Sequence, residues 1–404
     1  MKILFLSVST AVSNINNRGI YPDLLREFAV EGHEVYIVCP SERRLNKKTN
    51  YSITNNIHTL EVKTLNITKS NFIEKGISTI LIGHQYNRAI KQNFGRVKYD
   101  LILYVTPPIS FNSLIQKLKI KHNCKTYLML KDIFPQNAVD LGIMKKGSFL
   151  HSYFKRKEKL LYSVSDYIGC MSNANIEYVL NNNEIKKEKV EFCPNSINII
   201  NRETDSSKEE VFDKYNIPKD LPIFLYGGNL GLAQGIEFLV EVLNSNKNRT
   251  DCFVLIVGGG NKSNLIQNWI AINEPTNVIL INHLERKEYD ILESFCDVGM
   301  IFLDSKFTIP NFPSRILSYM ECKLPLLIAT DDVSDLGDIA KNNDFGIWSV
   351  SNDIHSFNEN FDFYIKNSKI RKQMGTNAYN FLINNYDVSI CYNEVMKHFK
   401  TSYN

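Results

Sequence analysis

IFLYGGNLGLAQGIEFLVEVL, residues 223–243, joins an apolar run to a glycine-rich turn and then to an apolar pattern of helical period. Residues 223–226 read as a buried parallel strand, and Ile236, Leu239, Val240 and Leu243 share one helical face. Gly227, Gly228, Gly231 and Gly235 allow the backbone to approach a ligand closely, and the helix that follows turns its free N–H groups toward it. Strand, glycine turn and helix in that order suit a phosphate. The stretch lies in the middle of the chain, where a second domain is expected to begin.

Two better-known phosphate loops do not fit. A dinucleotide G-x-G-x-x-G needs glycines at fixed offsets that no set here supplies. GGGNKS, residues 258–263, imitates the end of a P-loop, but Asn261 stands where glycine is required before the lysine.

A chain of 404 residues exceeds one ordinary core and suits two domains. Its net charge of +4 hides an asymmetry: residues 1–200 carry 28 Lys/Arg against 16 Asp/Glu, and residues 201–404 carry 19 against 27. The basic half is expected to face something anionic, a membrane surface or a phosphorylated acceptor, unless the split is compositional drift. The eight cysteines show neither C-x-x-C nor zinc spacing and are expected to be reduced, mostly buried thiols of a cytosolic protein. MKILFLSVSTAVS at the start has an apolar core of only residues 3–6, so it is read as a first strand rather than a leader. No apolar run reaches membrane-spanning length.

Strands are expected at 2–8, 35–39, 57–62, 101–105, 126–130 and 167–171, with an amphipathic helix at 21–30 stopped by Gly32. The polar segment 198–221 is the expected linker. Beyond it, strands are expected at 223–226, 253–257, 278–281, 298–302 and 326–329, and a final helix from about 389 to 400 follows a break at 384–387. This is an α/β chain of two doubly wound parallel sheets, and such domains place ligands at the carboxyl ends of their strands. The expected division is 1–199, with 386–404 packing back on it, and 200–385.

The order of segments resembles the retaining glycosyltransferases of family four, which have the two-domain GT-B architecture with Rossmann-like domains facing a cleft. GHEVYIVCP (32–40) is similar to a first-domain strand of that family, and CPNSINI (193–199) to the segment before its linker. GGNLGLAQG (227–235) is similar to its donor loop, LIVGGG (255–260) to a following turn, FPSRILSYMECKLPLLIA (312–329) to its P-S-K helix and strand, and RKQMGTNAYNFL (371–382) to a C-terminal helix. The resemblance covers nearly the whole chain, and its nearest subgroup is the bacterial enzymes of O-antigen and capsule synthesis.

That resemblance implies an enzyme that holds a nucleotide-sugar diphosphate, as a substrate rather than a cofactor, with helix termini and basic side chains and without metal. Many relatives flank the glycine loop with Arg and Lys; here those positions are Asn229 and Gln234, so the loop brings no charge. Gly228 and Gly258 supply backbone, and Arg315 is the expected cation. Its alternative is an ordinary exposed arginine. The family's two glutamates, eight residues apart, are replaced by Pro310 and Ser318. Ser318 therefore leaves the contact to the ribose hydroxyls weaker or reassigned, and the backbone of Asn311, Phe312 and Ser314 is expected to hold the sugar hydroxyls. His283 and Leu284 follow a strand where relatives contact the base. Asp132, preceded by Lys131, is similar to a first-domain aspartate that orients sugar or acceptor, its alternative being a helix cap.

Residues 145–162, KKGSFLHSYFKRKEKLLY, run from Lys145 to Tyr162 and mix six basic residues with aromatics and leucines. Such a helix can cover the first sheet, lie on an anionic leaflet, or do both. The expected protein is cytoplasmic, on the inner face of the plasma membrane. It is expected to transfer a UDP-linked sugar with retention to a polyprenyl-linked or saccharide acceptor. Two rivals are a GT-B UDP-sugar epimerase, for which no acidic or histidine cluster is found in the first domain, and an inactive sugar-nucleotide binding protein. No D-x-D pair supports a metal-dependent transferase, and no module supports nucleic-acid binding.

Overall fold

The computed structural model describes residues 1–67, 72–202 and 204–399. The chain forms two compact units, one made of Met1–Asn198 with Asp387–Asn404, the other of Ile199–Tyr386. The division at Ile199 falls inside the polar segment 198–221.

The first unit is built on eight strands: β1 (Lys2–Leu6), β2 (Glu34–Glu42), β3 (Asn50–Thr54), β4 (Ile57–Thr64), β5 (Leu101–Val105), β6 (Lys125–Leu130), β7 (Tyr167–Cys170) and β8 (Val190–Phe192). They lie in the order β3-β4-β2-β1-β5-β6-β7-β8, all neighbours parallel except β3 with β4. Both faces of the centre are covered. Ile3 and Phe5 pack with Leu24, Leu25 and Phe28 of the helix Ile20–Val30 and with Val388, Cys391 and Val395 of the helix Val388–Met396. Leu4 and Leu6, on the opposite face of the same strand, are equally sealed. Each such aliphatic side chain contributes about 1.5–3 kcal/mol by leaving water.

The second unit carries β9 (Ile223–Gly227), β10 (Phe253–Val257), β11 (Val278–Ile281), β12 (Val298–Phe302), β13 (Leu326–Thr330) and β14 (Gly346–Val350), in the order β11-β10-β9-β12-β13-β14 and parallel throughout. All five residues of β9, β10, β12 and β13 are buried, which is why these strands read as unbroken apolar runs. The chain moves to one side of β9 for β10 and β11 and to the other for the rest. Loops after β9 and β12 therefore diverge, and an open α/β sheet binds ligands at such a point.

Three strands escape the sequence pattern. β3 is exposed at every position and has no buried face to reveal it; Asn55 and Asn56, with φ of 47° and 61°, make the tight turn into β4. β8 is three residues long, and β14 is a partly exposed edge. The expected break at 384–387 narrows to Asp387: the helix Ser368–Tyr386 continues to its last residue, and Asp387 caps the next by accepting from Ser389 N–H at 3.0 Å. The part of the final helix expected at Lys400 and beyond lies outside the described residues. All eight cysteines are free thiols, seven of them buried. Among the described residues no helix is long and apolar enough to cross a membrane.

Candidate functional site

The glycine loop leaves the buried end of β9 and is sewn to the turn after β10. Gly228 N–H donates to Val257 O at 2.8 Å, Leu230 N–H to Gly259 O at 3.0 Å, and Lys262 N–H to Leu230 O at 2.9 Å. These turns approach so closely that a Cβ on Gly258 (φ +150°) would lie 1.8 Å from Gly228 O. Gly258 N–H is itself spent on Ile281 O at 2.9 Å. The amides of Gly228 and Gly258 are thus committed to the fold rather than offered to a ligand, and that expectation is corrected. The start of the helix Ile236–Asn246 stays open: it begins on Gly235 (φ +52°) without a side-chain cap. Its first-turn N–H groups have no partner within the helix and form an anion-receptive end.

Asn229 and Gln234 turn toward each other, Nδ2 donating to Oε1 at 3.2 Å, and both lie outside the core. Neither brings charge. Arg315 does. It opens the helix Arg315–Glu321, its Cζ stands 4.7 Å from the centre of the Tyr226 ring, and a Cβ on Gly228 would be 3.4 Å from that Cζ. The guanidinium thus lies under Gly228, at the mouth of the glycine loop. Its Nη1 is sealed from solvent and has no hydrogen-bond partner, and among the described residues no carboxylate pairs with it. Burial works against its charge while the phenols of Tyr226 and Tyr319 favour it, so it stays a cation, without a counter-ion among the described residues. The alternative of an ordinary exposed arginine falls.

The floor beneath is tyrosine. Tyr226 OH donates to Asn229 O at 2.8 Å, Gly227 N–H donates to Tyr319 Oη at 2.7 Å, and a Cβ on Gly227 would meet Tyr289 Oη at 1.9 Å.

The residues expected around the sugar and base fare differently. Asn311 N–H is taken by Ser334 Oγ at 2.9 Å, so it is not a free donor as expected. Phe312 is buried with its ring 5.7 Å from Tyr386, and Ser314 is exposed at the helix start. Ser318 does not present a free hydroxyl: it donates to Glu293, which is fully buried and also takes a bond from Tyr289 OH at 3.2 Å and from Arg202. Glu293 and Arg202 were not anticipated. The one local signal is an acidic residue on the apolar side of YDILESFCDV, just before β12. His283, 82% exposed, and Leu284 follow β11 as expected, with His283 Nε2 3.8 Å from Glu285.

In the first unit Lys131 and Asp132 follow β6. Lys131 N–H donates to Thr106 Oγ1 at 3.0 Å, tying this loop to the one after β5. Its ammonium, which stands where the family has a His or Arg, is buried without a hydrogen-bond partner, its pKa pushed down by burial and pulled back by Cys193, Cys391 and Cys170. The tip of the side chain is thus turned away from solvent, while the residue as a whole is half-buried. Asp132 is exposed as a residue, while burial around its carboxyl raises its pKa above the usual value. The helix after it, Gln136–Asp140, is capped at Pro135 with no side-chain bond, so Asp132 is not a helix cap.

Comparison with known proteins adds the family. Residues 207–381 match the model described as Glycosyl transferases group 1, and residues 23–200 the model described as Glycosyltransferase Family 4. The chain is 23% identical over 280 residues, 67% of each protein, to the probable glycosyltransferase WbjE of Pseudomonas aeruginosa. It is 25% identical over 177 residues, 42% of each, to the putative colanic acid biosynthesis glycosyl transferase WcaI of Escherichia coli. Among solved structures it is similar to Anabaena Alr3699/HepE in complex with UDP-glucose, with a TM-score of 0.70, 13% identity, and coverage of 99% of this chain and 100% of that one. With both units matched and two parallel α/β sheets of this topology, the chain belongs to the glycosyltransferases of GT-B type.

Proposed function

We propose that this glycosyltransferase moves a sugar from a UDP-linked donor to a polyprenyl-linked or saccharide acceptor with retention, in cell-surface polysaccharide synthesis. The observation that carries the reading is Arg315. A guanidinium with a sealed, unpartnered Nη1 under Gly228, in the loop that runs on to the uncapped helix Ile236–Asn246, is matched by a diphosphate. As the bond to the sugar breaks, negative charge grows on the leaving diphosphate, and Arg315 meets it. In the retaining course the acceptor hydroxyl attacks from the face the diphosphate leaves, and that phosphate takes the proton. Asp132 then orients the acceptor or the sugar rather than serving as an obligatory base. UDP is favoured by the relative crystallised with UDP-glucose, and the polysaccharide setting by the colanic acid enzyme.

The reading is tested with a thermal-shift panel of UDP, GDP, ADP and dTDP, followed by donor hydrolysis. A shift with UDP and slow hydrolysis of UDP-sugars are expected; stabilisation by none of the four sinks the proposal. No step is assigned to a metal, so turnover that vanishes with EDTA and returns with magnesium or manganese overturns that part.

The acceptor side includes an anionic membrane surface. The helix Phe149–Val164 buries Glu158, Leu161 and Tyr162 against its own unit and leaves Phe149 88% and Leu150 52% exposed, among Lys145, Lys146, Lys155 and Arg156. Exposed Ile77, Ile80 and Leu81 of the helix Phe72–Phe94 enlarge the apolar part, and a groove lined by Ile80, His84, Lys117, Tyr153 and Lys157 joins the two helices. Each Lys or Arg near an anionic leaflet adds about 1 kcal/mol. The protein is expected to float with phosphatidylserine vesicles at low salt, and Phe149→Ser with Leu150→Ser to weaken flotation about tenfold or more. Absence of the parent from the vesicle fraction at low salt excludes the membrane contact.

A further inference from the structure

Cys193 and Cys391 are 198 positions apart in the chain, yet they touch inside the first unit, Sγ to Sγ at 3.3 Å. Cys193 follows β8 and gives its N–H to Cys170 O at 2.8 Å, and Cys391 lies on the helix Val388–Met396. Both are buried in the core of that unit. Buried cysteines are ordinarily inert. Two features set this pair apart: each thiol has the other as its partner, and the sealed, unpartnered Lys131 Nζ is favoured as a cation by charge on either. The hydrogen bond from Cys391 holds the Cys193 thiol below its ordinary value, with Lys131 acting in the same direction against burial, and Cys391 is pushed up by giving that bond. One thiol is biased to lose its proton and its neighbour to keep it.

The pair stands where the chain leaves the first unit, after Asn198, and returns to it at Asp387. The two segments form a parallel bridge between Ile197 and Asp387, and Val388 N–H donates to Ile197 O at 2.9 Å. Cys193 lies four residues before that bridge and Cys391 four after it.

We propose that Cys193 and Cys391 are a reversible disulfide site, oxidised by hydrogen peroxide, which clasps the exit and the return of the chain and closes residues 194–390 into a covalent loop. The Cys193 thiolate attacks one peroxide oxygen, the O–O bond breaks, and the hydroxide that leaves takes up the proton Cys193 released. The sulfenic acid so formed is attacked by the Cys391 sulfur; the S–O bond breaks, and the departing hydroxide carries off the Cys391 proton as water. Two thiols and one peroxide give one disulfide and two waters. Bonded sulfurs stand about 2.05 Å apart, so closure needs roughly 1.2 Å of approach, within reach of side-chain rotation. No nucleotide sugar enters this chemistry, and it holds whatever the donor is.

In the test the full chain is treated with hydrogen peroxide at neutral pH, denatured in N-ethylmaleimide and mapped by peptide mass spectrometry with and without reduction. The oxidised protein is expected to carry two fewer alkylated thiols than the eight of the reduced one, and a linked Cys193–Cys391 peptide that dithiothreitol abolishes. A single proteolytic cut between 194 and 390 then gives pieces that part on a denaturing gel only after reduction. Cross-linking so long a loop raises the unfolding midpoint about 5 °C or more, and the reductant returns it. Lys131→Gln slows bridging about threefold, a tenfold loss of thiolate being partly offset by its greater nucleophilicity. Cys193→Ala and Cys391→Ala each abolish the bridge; should either fail to fold, the peptide map of the parent decides alone. Retention of all eight thiols, a different linked pair, or a sulfinic acid at Cys193 without a bridge overturns the proposal. A midpoint that stays or falls overturns the clasp, and bridging of Lys131→Gln at the parent's rate overturns the part given to Lys131.

Discussion

Replacing Arg315 with methionine is expected to remove most of the affinity for nucleoside diphosphates and, at the same time, to raise the melting temperature of the ligand-free protein. Both effects have one cause. The guanidinium is held over Tyr226 under Gly228 with an unpartnered, sealed Nη1, and among the described residues no carboxylate compensates it. An uncompensated cation is a standing cost of the empty site, and a well-packed apolar side chain in place of buried charge is often stabilising by about 1–4 kcal/mol. For a unit of this size, even about 1 kcal/mol moves the midpoint by roughly 2–4 °C. The bound diphosphate reverses the sign, since each charge-assisted hydrogen bond contributes about 1.5–3 kcal/mol, and losing two weakens binding about a hundredfold or more. Uridine binding should barely change. Calorimetry with UDP and uridine, beside thermal unfolding without ligand, reads all of this. Equal UDP affinity in variant and parent would make Arg315 a bystander, and a large drop in the ligand-free midpoint would show that it is a structural strut.

The second large effect is expected at Gly258, through the backbone alone. Gly258→Ala places a methyl 1.8 Å from Gly228 O and 2.9 Å from Gly228 C, at φ +150°. No side chain can yield, because the obstacle is main chain. The two turns must separate, breaking Gly228 N–H to Val257 O and Leu230 N–H to Gly259 O. Strain of about 1–3 kcal/mol for the dihedral and a similar amount for the overlap add up to a large share of a domain's stability. A fall of about 10 °C or failure to accumulate as folded protein is expected. Gly259→Ala is the control: its Cβ meets only Asn282 O at 3.4 Å, and its φ is not in the region reserved for glycine. Urea titrations of the two variants settle the point, and matching midpoints would show that the loops have slack the geometry does not allow.

These contrasts also mark how far the chain could be read. FVLIV at 253–257 was legible because a parallel strand buried on both faces must be apolar at every position. β3 was not, because all five of its residues are exposed and leave no periodic trace. The glycine loop was legible because strand, turn and helix are adjacent in sequence. Its amides were misjudged because the groups that take them, Val257 O and Ile281 O, sit in other strands. Lys131 was placed correctly after β6 but not its amine, whose burial among Cys193, Cys391 and Cys170 depends on segments from three parts of the chain.

The sequence by itself therefore determined the repeated strand–helix pattern and the glycine turn after β9, since each rests on local periodicity and residue type, while the family resemblance pointed to Arg315 as the cation near that turn. Only the tertiary structure decided the state of those groups. Among the described residues it leaves Arg315 without a counter-ion, commits the amides of Gly228 and Gly258, and turns the proton of Ser318 onto Glu293. Each of those outcomes is a hydrogen bond or a burial between residues far apart in the chain. Charge and hydrogen bonding in a site are set by whichever groups packing brings within about 3 Å, and a linear pattern does not carry that distance.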